Sequence, residues 1–136
     1  MELIYSKHEP RKLLHIVNRF DEISGRQEVI PEDEFLQLAT LQMDKGKTFR
    51  AHKHIWKEHQ EYETIAQESW VVIQGSVTVL FYDLDGLPLG TTVIRRGDCS
   101  VTLEGGHNYE ILEDDTIVYE YKTGPYTGQI NDKVFL

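Results

Sequence analysis

The pattern of apolar and polar positions divides this chain into short alternating runs, and it is most regular after Gly75. Residues 68–74 and 76–83, ESWVVIQ and SVTVLFYD, are rich in Val, Ile, Trp, Phe and Tyr, and Gly75-Ser76 separates them. Such β-branched and aromatic runs predict two strands. Asp83-Leu84-Asp85-Gly86 then predicts a turn, with Gly86 supplying a positive φ. Further strands are expected at 87–94, 99–103, 107–112 and 116–122. Their separators are Arg95-Arg96-Gly97-Asp98, Glu104-Gly105-Gly106 and Glu113-Asp114-Asp115.

The first half is less regular. Residues 13–19, LLHIVNR, form a short apolar run and predict a strand. From Phe20 to Glu34 the chain is polar, with a turn at Ser24-Gly25 and a break at Pro31, where 31–35 has room for a helical turn. Residues 35–43, FLQLATLQM, combine residues of good helix propensity with an alternating pattern. The turn Asp44-Lys45-Gly46 and the alternation that resumes at Thr48 favour strands at 35–43 and 48–54. Strands of five to eight residues joined by Gly- and Asp-containing turns predict an all-β antiparallel sandwich or barrel. Trp70 and Val72 share one face, and Val71 and Ile73 the other. The outer face therefore needs a second layer, the N-terminal segment or another subunit, and a homodimer is expected. The apolar end, Val134-Phe135-Leu136, is expected to dock on the body.

Composition narrows the partners. The 136 residues suit one domain with a real core. Fourteen Lys and Arg face 23 Asp and Glu, a net charge of −9, which makes nucleic acid and anionic membranes poor partners. No apolar stretch approaches the roughly 20 residues of a membrane span. The first residues lack the apolar core and small-residue cleavage site of a signal peptide. The single cysteine, Cys99, leaves no intramolecular disulfide to form. A reducing cytoplasm is the expected setting.

Chemistry concentrates between Lys45 and His107. On a strand, His52 and His54 would project from one face, and two imidazoles need only one or two more donors to hold a metal. An antiparallel partner strand would bring Glu68 beside them, with Glu68, Trp70 and Val72 facing inward. His107 follows two glycines and would come from the far side of a barrel. Tyr109 shares its parity and offers a phenol as donor or weak acid, while Glu120 is expected to point outward. His15 is expected to belong to packing, because nothing nearby completes a constellation. Cys99 has no His or CxxC partner, which disfavours thiol chemistry.

These residues carry a resemblance. Gly46, five residues and His52-x-His54, followed by Glu68, six residues and Gly75, are similar to the first cupin motif. Gly97-Asp98 and Gly105-Gly106-His107 are similar to the second, and the likeness runs from about Phe35 to Tyr121. It departs from the pattern in three places. Thirteen residues, 55–67, separate His54 from Glu68, Leu103 stands where Pro is usual, and Ile111 stands where Asn is usual. Glu58 fits the shorter spacing but has no glycine seven positions later, so Glu68 is the chosen carboxylate. The resemblance implies a double-stranded β-helix (jelly-roll) barrel over residues 35–136, with residues 1–34 an extension on the barrel or a partner subunit. It implies one divalent transition metal (Fe, Mn, Ni or Zn) held by His52, His54, Glu68 and His107. The inserted 55–67 would form a flap carrying Trp56, His59 and Tyr62. The nearest likeness is to small cupins of bacterial polysaccharide and sugar-nucleotide pathways. The implied activity is a metal-dependent oxygenase, isomerase, epimerase or lyase acting on a small polar molecule. The alternative is a non-catalytic module that binds or senses such a ligand.

Overall fold

A computed structural model describes residues 1–42, 44–50, 52–54, 65–124 and 133–136. The apolar runs of the second half are strands within a residue or two of their expected limits. They are β5 (Glu68–Gln74), β6 (Ser76–Tyr82), β7 (Pro88–Arg95), β8 (Cys99–Thr102), β9 (Gly106–Ile111) and β10 (Ile117–Lys122). Before them come β1 (Glu2–Tyr5), β2 (Leu13–Asn18), β3 (Arg26–Glu28) and β4 (Ala39–Leu41). The only helical element among the described residues is a single 3-10 turn at Phe20–Glu22. The described residues are thus all-β, and every strand pairing among them is antiparallel.

Three sheets result. The first runs β1-β2-β8-β5-β10, the second β7-β6-β9, and β3 and β4 make a two-stranded ribbon. The two larger sheets face one another. Val17 and Val72 from the first meet Val77, Val79, Phe81 and Ile94 from the second, all essentially buried. Burying each such side chain contributes roughly 1.5–3 kcal/mol. On the back of the first sheet, Ile16, Val101 and Leu103 are covered by Val29 and Ile30, with Leu36 and Leu38 alongside. The expected second layer therefore comes from the chain itself over β2 and β8. Beyond it Ile73, Ile117, Tyr119 and Tyr121 stay exposed.

Residues 1–34 supply β1 and β2 as full members of the first sheet. Two carboxylates fasten them. Asp83 accepts from the Ser6 hydroxyl at 2.6 Å and from the backbone N–H groups of Lys7 and His8 at 2.7 and 3.2 Å. Asp98 accepts from Arg19 at 3.2 Å and from the backbone N–H groups of Phe20 and Arg95. Asp83 lies in the β6–β7 hairpin and Asp98 in the turn that carries the chain from β7 to β8 in the other sheet, so turns of the second half double as clamps on the first.

Four expectations need correction. The strand at 35–43 shrinks to Ala39–Leu41, and the described part of 48–54 is in no strand at all. The run FLQLATLQM spends Leu36 and Leu38 on covering the sheet instead of pairing within one. The polar leader, unassigned from sequence, forms β1 because Ile4 reaches the central core from the sheet edge. Finally, Val134, Phe135 and Leu136 are 73–89% exposed and do not dock as a packed end.

Candidate functional site

The alternation of β5 sends Glu68, Trp70 and Val72 to the inner face of the first sheet, as expected. Register with β10 sets Lys122 beside Glu68 and Glu120 beside Trp70. In the second sheet, β9 pairs His107 with Phe81 and Tyr109 with Val79, so both face the same interior. At this end of the sandwich the core gives way to polar groups. Glu68 Oε1 lies 3.2 Å from His107 Nε2. The contact bridges the two sheets.

Trp70 and Tyr109 stack beside that pair, ring centroids 3.8 Å apart and 6° from parallel. The Tyr109 hydroxyl and Ser100 Oγ are 3.2 Å apart, tying the ring to β8. The Trp70 indole N–H donates to Glu68 Oε1 at 3.1 Å and to Glu120 Oε2 at 3.2 Å. His107 and Tyr109 ring centroids are 5.3 Å apart. Glu120 thus points inward, against expectation. Its parity with the half-buried Val118 was the signal in the sequence, and its charge argued the other way.

Electrostatics follow from these contacts. Burial alone would raise the Glu68 carboxyl, yet hydrogen bonding and charge from His107, with Lys133 and Lys122 at longer range, hold it below the ordinary value. Burial pushes the Tyr109 phenol far up, opposed by its Ser100 hydrogen bond and reinforced by Glu68 and Glu120. Tyr109 is therefore a hydrogen-bond donor at neutral pH and not a base. With Nε2 turned to Glu68, His107 Nδ1 is buried without a partner. That nitrogen keeps an unused hydrogen-bonding position.

His15, on β2 of the first sheet, is fully buried. Its Nε2 faces the Tyr82 carbonyl at 3.2 Å and its Nδ1 faces Thr102 Oγ1 at 3.1 Å. A carbonyl only accepts, so the proton sits on Nε2 and the Thr102 hydroxyl donates to Nδ1. Burial lowers the His15 pKa to about 4. The expected packing role is the observed one. Burial likewise pushes the Cys99 thiol up to about 11, leaving it inert at neutral pH.

His52 and His54 stand elsewhere. They are exposed, their rings 5.4 Å apart, and His52 Nδ1 lies 3.0 Å from the Arg50 carbonyl. Because this segment is not a strand, two-residue periodicity does not aim them at the sandwich interior. The structure therefore brings Glu68 to His107 and His52 to His54, and does not join the pairs. Among the described residues, no three His, Cys, Asp or Glu side chains converge as a metal site requires. Glu58, Trp56, His59 and Tyr62, with the rest of the inserted flap, lie outside the described residues. The fit to a metal is partial. Glu68 and His107 are suitable donor types, but the unpartnered Nδ1 lies on the far side of the ring from Glu68, and two donors are too few for a closed site.

The fold is an antiparallel β-sandwich with a cluster of polar and aromatic side chains between its sheets at one end. No family model, curated protein or solved structure matches the chain.

Proposed function

We propose that this protein is a small cupin-type, jelly-roll-like module that binds a small polar molecule at the Glu68–His107 cluster of β5, β9 and β10. In this reading Glu68 and His107 are half of a divalent-metal site that His52 and His54 complete. The observation that carries it is the 3.2 Å contact of Glu68 with His107, two residues from opposite sheets that the motifs pair. Fe, Mn, Ni or Zn all accept such nitrogen and carboxylate donors. A metal bound there would supply Lewis acidity toward a ligand oxygen, as an oxygenase, isomerase, epimerase or lyase uses it. The residues in place do simpler work. Glu68 fixes the His107 ring, the Trp70–Tyr109 stack flanks that pair, and Tyr109 offers a hydroxyl.

The test is metal analysis of the untagged protein after dialysis. E68Q and H107Q should each retain metal about 10–100-fold more weakly than the parent, and E58Q should retain it normally. Imidazole coordinates only when neutral, so retention should also fall in acid. Loss of metal in E58Q with retention in E68Q would transfer the carboxylate role to Glu58. A parent protein that never binds metal ends the metal reading.

The second reading is a non-catalytic binding module without metal. The described donors favour it, since they stop at a carboxylate–imidazole pair beside an aromatic wall. Either reading places the protein in the cytoplasm as a homodimer. The exposed residues Ile73, Ile117, Tyr119 and Tyr121 form the interface, and nucleic acid and membrane are not partners.

A further inference from the structure

We infer that Trp70 is a positioning residue: its indole N–H holds the Glu68 and Glu120 carboxylates so that Glu68 meets His107. This rests on the reading that the Glu68–His107 pair is the functional one, and it adds Glu120 to the site.

A carboxylate as buried as Glu68, 8% exposed, needs donors to stay ionised, and its Oε1 has two. One is His107 at 3.2 Å from the second sheet, and the other is Trp70 at 3.1 Å from its own strand. Convergence on one oxygen fixes the direction of the carboxylate more tightly than either bond alone. The indole itself cannot swing. It lies flat on Tyr109, whose hydroxyl is tied to Ser100. A chain of contacts from β8 through β9 and β5 therefore ends at the oxygen that faces His107.

The same N–H lies 3.2 Å from Glu120 Oε2, so one donor is divided between two acceptors. Glu120 sits directly opposite Trp70 in the β5–β10 register, and its other oxygen is 3.9 Å from Lys122 Nζ. Glu120 thus competes with Glu68 for the indole proton. What Glu120 does to the site passes through Trp70. Packing alone does not call for tryptophan here, because phenylalanine can stack on Tyr109. The feature that only tryptophan supplies is the donor.

The experiment uses the full-length, metal-free protein labelled with 15N. In it, W70F identifies the Trp70 indole cross-peak by its disappearance. E68Q and E120Q should each shift that peak. An indole peak indifferent to both substitutions overturns the shared-donor geometry. The decisive arm is a double-mutant comparison read at the His107 ring nitrogens. W70F should shift the His107 Nε2 signal when Glu68 is present and leave it unmoved in the E68Q background. A residue that merely packs would disturb His107 equally in both backgrounds, and that result, or no shift in either, overturns the proposal. Because no metal is present, the outcome is separate from whether the parent protein binds one.

Discussion

Single side chains carry acid sensitivity in this protein, and two of them act in successive windows. His15 has a folded pKa of about 4 against about 6.5 for free imidazole, so the unfolded chain binds the extra proton first. Its contribution to stability is complete above pH ~6.5 and falls away toward pH ~4, by up to about 3 kcal/mol. Urea unfolding between pH 7 and 4.5 should show this decline, and H15Q should flatten it. A parent midpoint that stays constant over that range contradicts the buried, neutral imidazole. Asp83 acts lower. Burial would raise its carboxyl, but hydrogen bonds from Ser6 and from the backbone of Leu84, Lys7 and His8 hold it at about 2. A depressed carboxyl stabilises the fold above its unfolded value near 4, and that share is lost as pH falls toward 2. D83N should lower the urea midpoint at pH 7 and change it much less at pH 2. At this scale the sequence was legible where a residue had no chemical company. His15 reads as packing and is packed. Glu120 was misread because its charge suggested solvent, whereas its inward turn depends on an indole donor from the neighbouring strand.

At the level of elements, legibility tracked how local the determining contact is. Strands β5 to β10 are bounded by turns whose chemistry lies within the turn itself. One such turn is at Asp83, where the Asp83 N–H reaches the Leu87 carbonyl at 2.8 Å and Gly86 takes φ +79°. The segments before β5 are decided at long range. Leu36 and Leu38 cover the back of the first sheet, and Ile4 draws β1 into it, and neither partner is visible in neighbouring residues. The same limit explains His52 and His54, whose alternating context promised a strand that the described residues do not form. Glycine gives the sharpest test of the local part. Gly105 precedes β9 with φ +79°, and a Cβ there would lie 2.6 Å from the Tyr82 carbonyl oxygen that also accepts from His15. G105A combines left-handed strain with a backbone clash and should cost at least about 1–3 kcal/mol. Gly90 in β7 has no atom within 4 Å of such a Cβ, so G90A should stay within about 0.5 kcal/mol of the parent. Thermal midpoints measured side by side decide it. Equal midpoints for the two variants would contradict the geometry of the turn that leads from β8 into β9.

For the whole molecule, the proposed homodimer sets two long-range terms against each other. Each copy carries a net charge of −9, so approach is opposed by repulsion between like surfaces. Against that stands the apolar patch of Ile73, Ile117, Tyr119 and Tyr121, all 38–55% exposed at the β5–β10 edge of the first sheet. The outward positions of β10 carry no Lys or Pro of the kind that guards a strand edge, since Ile117, Tyr119 and Tyr121 occupy them. Burial of apolar area is nearly indifferent to salt, whereas the repulsion is screened as the Debye length shrinks from about 30 Å at 0.01 M to about 8 Å at 0.15 M. Association at micromolar concentration should therefore strengthen over that range, the reverse of an interface held by ion pairs. Sedimentation velocity across the salt series reads this directly. Y119K places a charge in the middle of the patch and should leave a monomer at every salt concentration with an unchanged β-sheet circular-dichroism spectrum. A parent protein that is monomeric throughout shows that the patch is not an interface between copies. A dimer that weakens with salt, or that survives Y119K, places the contact on another surface of the sandwich.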